Sequence, residues 1–270
     1  MKVAVVQLSA GSNKKQNIKH AVDLVSRAIG QSAQFIVLPE AFNYRGPLSK
    51  DSFLAIAEKI PGESTLPLIS LARKSGVFIL AGSIHEKIPN KQKCYNTSVL
   101  INPQGKIIAK YRKINLFDAV LDKTVIKESM WFLSGASLAA APVKEFKVGL
   151  SICYDLRFGD LFRKYAKNGV NVLCVPSVFT KKTGQAHWEV LVRARAIESL
   201  SYVLAPNQTG EDYRGVSAYG NSLIVTPWGE ILARASDKEE ILYADIDKSA
   251  VEQARAILPD FSRKMTRKKI

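Results

Sequence analysis

The sequence is poor in the residues on which disulfide-stapled and metal-bound proteins depend. Its 270 residues include three cysteines and three histidines. Cys94, Cys153 and Cys174 are too few for a disulfide scaffold, which points to a reducing, cytoplasmic setting. No Cys/His cluster has zinc-ligand spacing, so no metal is expected. Long apolar runs are missing too: Val3–Val6, Val148–Leu150 and Val172–Val175 fall far short of the roughly 20 residues that cross a bilayer. No membrane span is expected. Met1–Leu8 has neither a basic leader nor a sustained apolar stretch and reads as a first strand. No Pro-, Gly- or Ser-rich linker interrupts the chain, so 1–270 is expected to form one domain with a basic tail at about 261–270.

Acidic residues are outnumbered: 39 Lys and Arg against 24 Asp and Glu leave a net charge of +15. Such an excess raises nucleic acid, an anionic membrane or an acidic substrate as partner. The distribution argues against the first two. Arg263, Lys264, Arg267, Lys268 and Lys269 crowd the end of the chain, and the others are scattered without basic–aromatic alternation or a recognition-helix pattern. A basic scaffold that binds nucleic acid remains the non-enzyme alternative, and it would bind oligonucleotides in a salt-sensitive way.

What is present is an alternation of helix and strand. Asn13–Ile29 carries Ile18, Ala21, Val22, Val25, Ala28 and Ile29 at helical spacing, with Gly30 as the stop. Phe35–Leu38 is a continuous apolar run ended by Pro39, as expected of a strand buried on both faces. The rhythm returns in Leu66–Lys74 followed by Val77–Ala81, and in Asp160–Lys167 followed by Val170–Val175, so the chain is α/β. Two segments echo each other, Ser98–Ala109 and Ser222–Ala233. Both read strand, Pro-x-Gly turn, strand, and predict two matching hairpins in two similar half-structures.

In α/β folds reactive groups gather beyond the carboxyl ends of strands. Glu40 follows Phe35–Leu38, Lys113 follows Lys106–Tyr111, and Cys153 follows Val148–Ile152. Cys153 then precedes Tyr154–Arg157 and a helix, a strand-to-helix elbow whose backbone N–H groups can serve a nucleophile. Cys174, inside Asn171–Pro176, reads as a small buried hydrophobe, and Cys94, beside Lys91 and Lys93, as a loop thiol. A Cys–His pair would need His20, His85 or His187; His20 falls on a helix and His187 opens another.

Three motifs, Val37-Leu-Pro-Glu40-Ala-Phe42, Lys110-Tyr-Arg-Lys113-Ile-Asn-Leu-Phe117 and Gly149-Leu-Ser-Ile-Cys153-Tyr-Asp-Leu-Arg157-Phe158, resemble those of the nitrilase superfamily of carbon–nitrogen hydrolases, in its order. The resemblance spans nearly the whole chain. It implies a four-layer α-β-β-α sandwich with two mixed sheets, a homodimer or higher even oligomer, and no cofactor. It makes Glu40, Lys113 and Cys153 a Glu–Lys–Cys triad, with Glu128 as a second glutamate in the loop after the lysine. Glu40 is then general base and acid, and Lys113 with a backbone N–H near Tyr154 holds the oxyanion.

The stretch from Phe179 to Glu198, with Gln208–Gly210 and Pro227–Gly229, is most similar to the branch of deaminated glutathione amidases and omega-amidases. Phe158-Gly159-Asp160 and Gly220-Asn221-Ser222 depart from the Phe-Pro-Glu and Gly-His-Ser usual there. The branch implies hydrolysis of a linear carboxylate-bearing amide, deaminated glutathione first and a 2-oxo acid omega-amide second, to acid and ammonia through a Cys thioester. N-carbamoyl amino acid hydrolysis and nitrile hydrolysis use the same triad and remain alternatives. Arg157, four residues past the nucleophile, is placed to meet the substrate carboxylate, the other reading being a salt bridge to Asp155 or Asp160. Phe179, Thr183 and Trp188, which precede or open the next helix, complete the expected substrate site.

Overall fold

A computed structural model describes residues 1–121 and 124–258. The basic tail at about 261–270 lies outside the described residues. In chain order the elements are β1 (Lys2–Gln7), α1 (Lys14–Gly30), β2 (Phe35–Val37), α2 (Lys50–Ile56), α3 (Leu66–Ser75), β3 (Phe78–Lys87), β4 (Cys94–Ile101), β5 (Ile107–Arg112), β6 (Asp118–Leu121) and β7 (Thr124–Lys127). There follow β8 (Ala140–Val143), β9 (Phe146–Leu150), α4 (Gly159–Lys167), β10 (Val172–Cys174), α5 (Lys181–Ser199), β11 (Tyr202–Ala205), β12 (Leu223–Val225), β13 (Ile231–Arg234), β14 (Glu240–Asp245) and α6 (Lys248–Ile257). The first sheet runs β14-β1-β2-β3-β4-β5 and the second β13-β12-β11-β10-β9-β8, with β6 and β7 as a separate hairpin.

Strand alternation builds the layers. Val3 and Val5 of β1, Phe35 and Val37 of β2, Leu80 of β3 and Leu100 of β4 face Val148, Leu150, Val172 and Leu204 of the second sheet in one core. The intervening Ala4, Val6, Ile36, Ile79, Ala81 and Val99 turn to the other side and pack against Leu24, Val25 and Ala28 of α1 and Leu68 and Ala72 of α3. Every inner strand is therefore apolar on both faces, as a doubly covered sheet requires. On the far side α4 and α5 bring Phe162, Tyr165, Trp188 and Val192 onto the second sheet, completing α-β-β-α.

The two sheets repeat one plan. In each, three parallel strands (β1-β2-β3; β9-β10-β11) are followed by two antiparallel ones (β4-β5; β12-β13). The matching hairpins are present. Gly105 N–H donates to Asn102 O and Gly229 N–H to Thr226 O, both at 2.9 Å, with φ of 71° and 87° at the two glycines. These left-handed positions let the turn close without a Cβ clash. Each hairpin also slips register at the same place, between Leu100 and Ile101 and between Ile224 and Val225.

Several boundaries differ from the periodicity. α1 continues through Gly30, and its stop is Gln31, whose N–H returns to Arg27 and Ala28 carbonyls. β3 runs on to Lys87 because β4 pairs with it along that length. α5 begins at Lys181, ahead of His187, because the Thr180 side chain caps the Thr183 N–H. Cys94 is not a loop thiol: it starts β4 and is buried against Phe53 and Phe132. Cys174 is buried on β10 as expected.

β3 is irregular between Ala81 and Ile84, next to the end of β2. A Cβ on Gly82 would lie 1.8 Å from the Pro39 carbonyl oxygen, so only glycine lets the chain carrying Glu40 pass this close. Gly82→Ala is expected to cost about 1–3 kcal/mol of stability by forcing the two segments apart. Gly30→Ala, with nothing within 4 Å of the added carbon, is expected to be neutral or mildly stabilising. Paired denaturant titrations check both.

Candidate active site

Glu40 stands three residues past β2, where the bend of β3 and a hydrogen bond from Ala41 N–H to Ser83 Oγ (3.0 Å) hold the chain. Lys113 directly follows β5 with its backbone fixed on both sides: its N–H donates to Asn96 O, and its O accepts from Gly135 N–H, both at 2.8 Å. Cys153 follows β9 at φ 49°, a left-handed residue at the start of the tight helical turn Cys153–Arg157, and its N–H donates to Pro176 O at 2.9 Å. The expected elbow is present.

One buried carboxylate staples this elbow to the end of β5. Asp155 accepts from Tyr111 Oη (2.7 Å), Ile152 N–H (2.9 Å), Asn115 N–H (2.9 Å) and Asn115 Nδ2 (2.8 Å). Asp155 is thus fully engaged across the two sheets and is no partner for Arg157. Tyr111 is pushed well above its ordinary pKa, first by burial and then by Asp155, so it remains a donor.

The functional groups converge on Lys113. Its ammonium, with no exposed side-chain surface, donates to Glu40 Oε1 at 3.0 Å and to Glu128 Oε1 at 2.9 Å. Glu40 also accepts from Asn96 Nδ2 (2.9 Å) on Oε1 and from Val178 N–H (3.0 Å) on Oε2. Glu128 is oriented by Phe117 N–H at 2.8 Å. Burial alone would lower the pKa of Lys113, but Glu128, Glu40 and Cys153 outweigh it and hold the ammonium well above its ordinary value. Glu128 is raised by burial and by Glu40 against the pull of Lys113. Burial and the Glu40 charge also push the Cys153 thiol well up, with Lys113 and the Val178 N–H opposing. The resting thiol therefore carries its proton, and to act as a nucleophile it needs a base.

Glu40, Glu128 and Cys153 open on a cleft of about 460 Å³ whose walls include His85, Trp131 and Phe132. A side recess beside Cys153 is lined by Tyr154, Arg157, Phe179, Thr180 and Thr183, together with Phe117. Arg157 makes neither expected salt bridge. Its Nη2 lies 3.2 Å from His187 Nδ1, and its guanidinium rests over the Tyr154 and Phe179 rings, with no carboxylate partner among the described residues. Trp188 is corrected: it lines neither cavity. It sits behind Phe179, ring centres 4.8 Å apart, buried with its Nε1 donating to Asn221 O at 2.7 Å, because its place on α5 faces the core. Asn96, Asn115, Phe117 and Val178 were not anticipated. The one signal for Asn96 was a polar run, Asn96-Thr97-Ser98, inside an otherwise apolar strand.

Over residues 2–256 the chain matches the family model described as carbon-nitrogen hydrolase. The chain belongs to the carbon-nitrogen hydrolase family. It is a hydrolytic amidase of the nitrilase superfamily. It is 39% identical over 264 residues to the omega-amidase NIT2 of Homo sapiens, covering 97% of this chain and 94% of that protein. It superposes on Saccharomyces cerevisiae Nit3, a member of branch 10 of the nitrilase superfamily, with a TM-score of 0.86 and 34% identity, covering 99% and 96% of the two chains. On the C. elegans NitFhit protein the TM-score is 0.90 at 34% identity, covering 98% of this chain and 65% of that one. Among the described residues no group of three or more His, Cys, Asp or Glu is arranged to hold a metal ion, and no helix is long and apolar enough to cross a membrane.

Iodoacetamide is expected to label Cys153, at the cleft, before the enclosed Cys94 and Cys174, and at a rate that rises with pH because the thiol sits above its ordinary range. Peptide mass mapping after brief exposure checks the order; earlier labelling of Cys174 would remove Cys153 from the site.

Proposed function

We propose that this hydrolase cleaves the amide of a linear acyl group bearing a carboxylate, with 2-oxo acid omega-amides as the preferred class, through a thioester on Cys153. The observation that carries the substrate class is Arg157, a half-buried guanidinium without a carboxylate partner among the described residues, beside Thr183 in the recess adjoining the nucleophile. The omega-amidase activity of the mammalian relative reverses the order of the two candidate substrates. Deaminated glutathione is retained as second choice, since the cleft has room for its larger leaving group. Its scissile bond is a secondary amide, so the group it releases is an amine rather than ammonia.

As Cys153 Sγ attacks the amide carbon, Glu40 takes the thiol proton. Lys113 Nζ and the Tyr154 N–H, which donates to no described residue, receive the developing oxyanion. The intermediate collapses as Glu40 returns that proton to nitrogen, the C–N bond breaks and ammonia leaves. Water then attacks the thioester, Glu40 takes its proton, and the acid departs as Sγ is reprotonated. Glu128 acts through Lys113 as a positioning residue, sharing its ammonium with Glu40. The enclosed carboxylate–ammonium–thiol cluster supports this reading over a basic nucleic-acid scaffold.

Glu40→Gln is expected to lower kcat by about 10²–10⁴-fold or more, because base and acid are one residue. Initial rates followed by acid product check this, and retention of a tenth of the activity would contradict it. On a panel of 2-oxoglutaramate, 2-oxosuccinamate, deaminated glutathione, N-carbamoyl amino acids, nitriles and asparagine, the omega-amides are expected to give the highest kcat/KM. A tenfold preference for carbamoyl or nitrile substrates would overturn the substrate class and leave the triad standing.

The proposal extends to a homodimer in the cytoplasm. Val190 and Ile197 of α5 and the adjacent Trp228 form an exposed apolar patch on the outer helical layer, bridged by Arg193 donating to Gly229 O at 2.9 Å. Sedimentation at micromolar concentration is expected to give a dimer, and Trp228→Glu to shift it toward monomer.

A further inference from the structure

Asn96 has no role in the steps above, yet it touches the residue that performs them. It lies on β4, 4% exposed, with its backbone carbonyl holding the Lys113 N–H at 2.8 Å. Its Nδ2 donates to Glu40 Oε1 at 2.9 Å. A carboxylate offers only lone pairs, so the orientation of this amide is settled chemically: nitrogen toward Glu40, oxygen away. That oxygen, Oδ1, is buried and has no hydrogen-bond partner among the described residues. Asn96 nevertheless lines the cleft that Glu40 and Cys153 share. Its cross-strand neighbour His85 is not the missing partner, since that ring is wedged against Phe53 and Phe132 and its own Nδ1 is unpaired. An unpaired amide oxygen beside a general acid is costly to maintain unless something in the reaction uses it.

We propose that Asn96 Oδ1 accepts an N–H of the departing amide nitrogen. This rests on the thioester mechanism above. To be protonated by Glu40, that nitrogen must come within hydrogen-bond reach of its carboxylate, and Asn96 is one hydrogen bond away. In the tetrahedral intermediate the nitrogen keeps its N–H and gains a full lone pair. Anchoring the N–H on Oδ1 turns the lone pair toward the proton on Glu40, so protonation and C–N cleavage proceed without reorientation. Asn96 transfers no proton itself. The proton travels from Sγ to Glu40 to nitrogen, and the C–N bonding pair leaves with the amine. An alkoxide leaving group has no hydrogen to present, so the contact favours amides over esters of the same acid.

The test compares 2-oxoglutaramate with the 5-methyl ester of 2-oxoglutarate, two substrates with one acyl group. In Asn96→Ala the loss of the Nδ2 bond to Glu40 affects both, whereas the loss of Oδ1 affects the amide alone. The amide-to-ester ratio of kcat/KM, which reports acylation, is expected to fall about 10- to 100-fold. Asn96→Asp is isosteric and keeps an oxygen at the Oδ1 position; it is expected to slow both substrates and hold the ratio within about threefold of wild type. Asn96→Leu replaces the alanine variant if the smaller side chain leaves the protein unfolded. An unchanged ratio in Asn96→Ala or Asn96→Leu, or an equal fall in Asn96→Asp, would overturn the assignment. Turnover of both substrates surviving Cys153→Ala would instead overturn the thioester mechanism, so the two failures are distinct.

Discussion

The Lys113 ammonium, wholly enclosed and shared between Glu40 and Glu128, is the contact on which the site depends. A charge taken this far from water persists only with partners of opposite sign; removing one partner of such a pair costs about 3–5 kcal/mol. The two carboxylates meet that requirement and bring negative charge close to the Cys153 thiol. Burial first, and that charge after it, keep the proton on Cys153, and the proposed mechanism sends it to Glu40. A cysteine activated by a permanent thiolate would need a different neighbourhood, richer in cations. In the proposed mechanism the sulfur, the base and the oxyanion donor are coupled through one ammonium.

The duplicated sheet plan explains why these groups meet. Glu40 follows β2, and Ser177 and Val178 follow β10, the corresponding strand of the other half. Both strand ends run on through one more ladder bond, Leu38 N–H to Leu80 O (3.0 Å) and Val175 N–H to Leu204 O (2.9 Å), and both then reach a proline. The two loops touch where Val178 N–H donates to Glu40 Oε2. Cys153, after β9, hangs its own N–H on Pro176 O of the second loop. The site is thus a junction between equivalent loops of two half-structures, with Asp155 fastening the elbow to β5 so that Lys113 and Cys153 keep their relative positions.

Much of this was legible in the residues. Continuous apolar runs ended by Pro39, and by the polar elbow after Ile152, mark strands buried on both faces and so mark where side chains emerge at the rim. The hairpin echo was readable because its turn chemistry is local: Pro, then a left-handed glycine. The reach of β3 was not, because it depends on pairing with β4. Trp188 was misread for a related reason. Spacing along α5 does not reveal that its face turns to the core, with Phe179 between it and the cleft. Asn96 and Asp155 acquire their meaning only when strands distant in sequence come together.

The most direct test of the account is rapid-quench mass spectrometry of the enzyme during turnover of 2-oxoglutaramate. The account predicts a transient adduct equal to the substrate less ammonia on the peptide containing Cys153, absent in Cys153→Ala. Product formation without that adduct under saturating substrate, or an adduct on another residue, would contradict it.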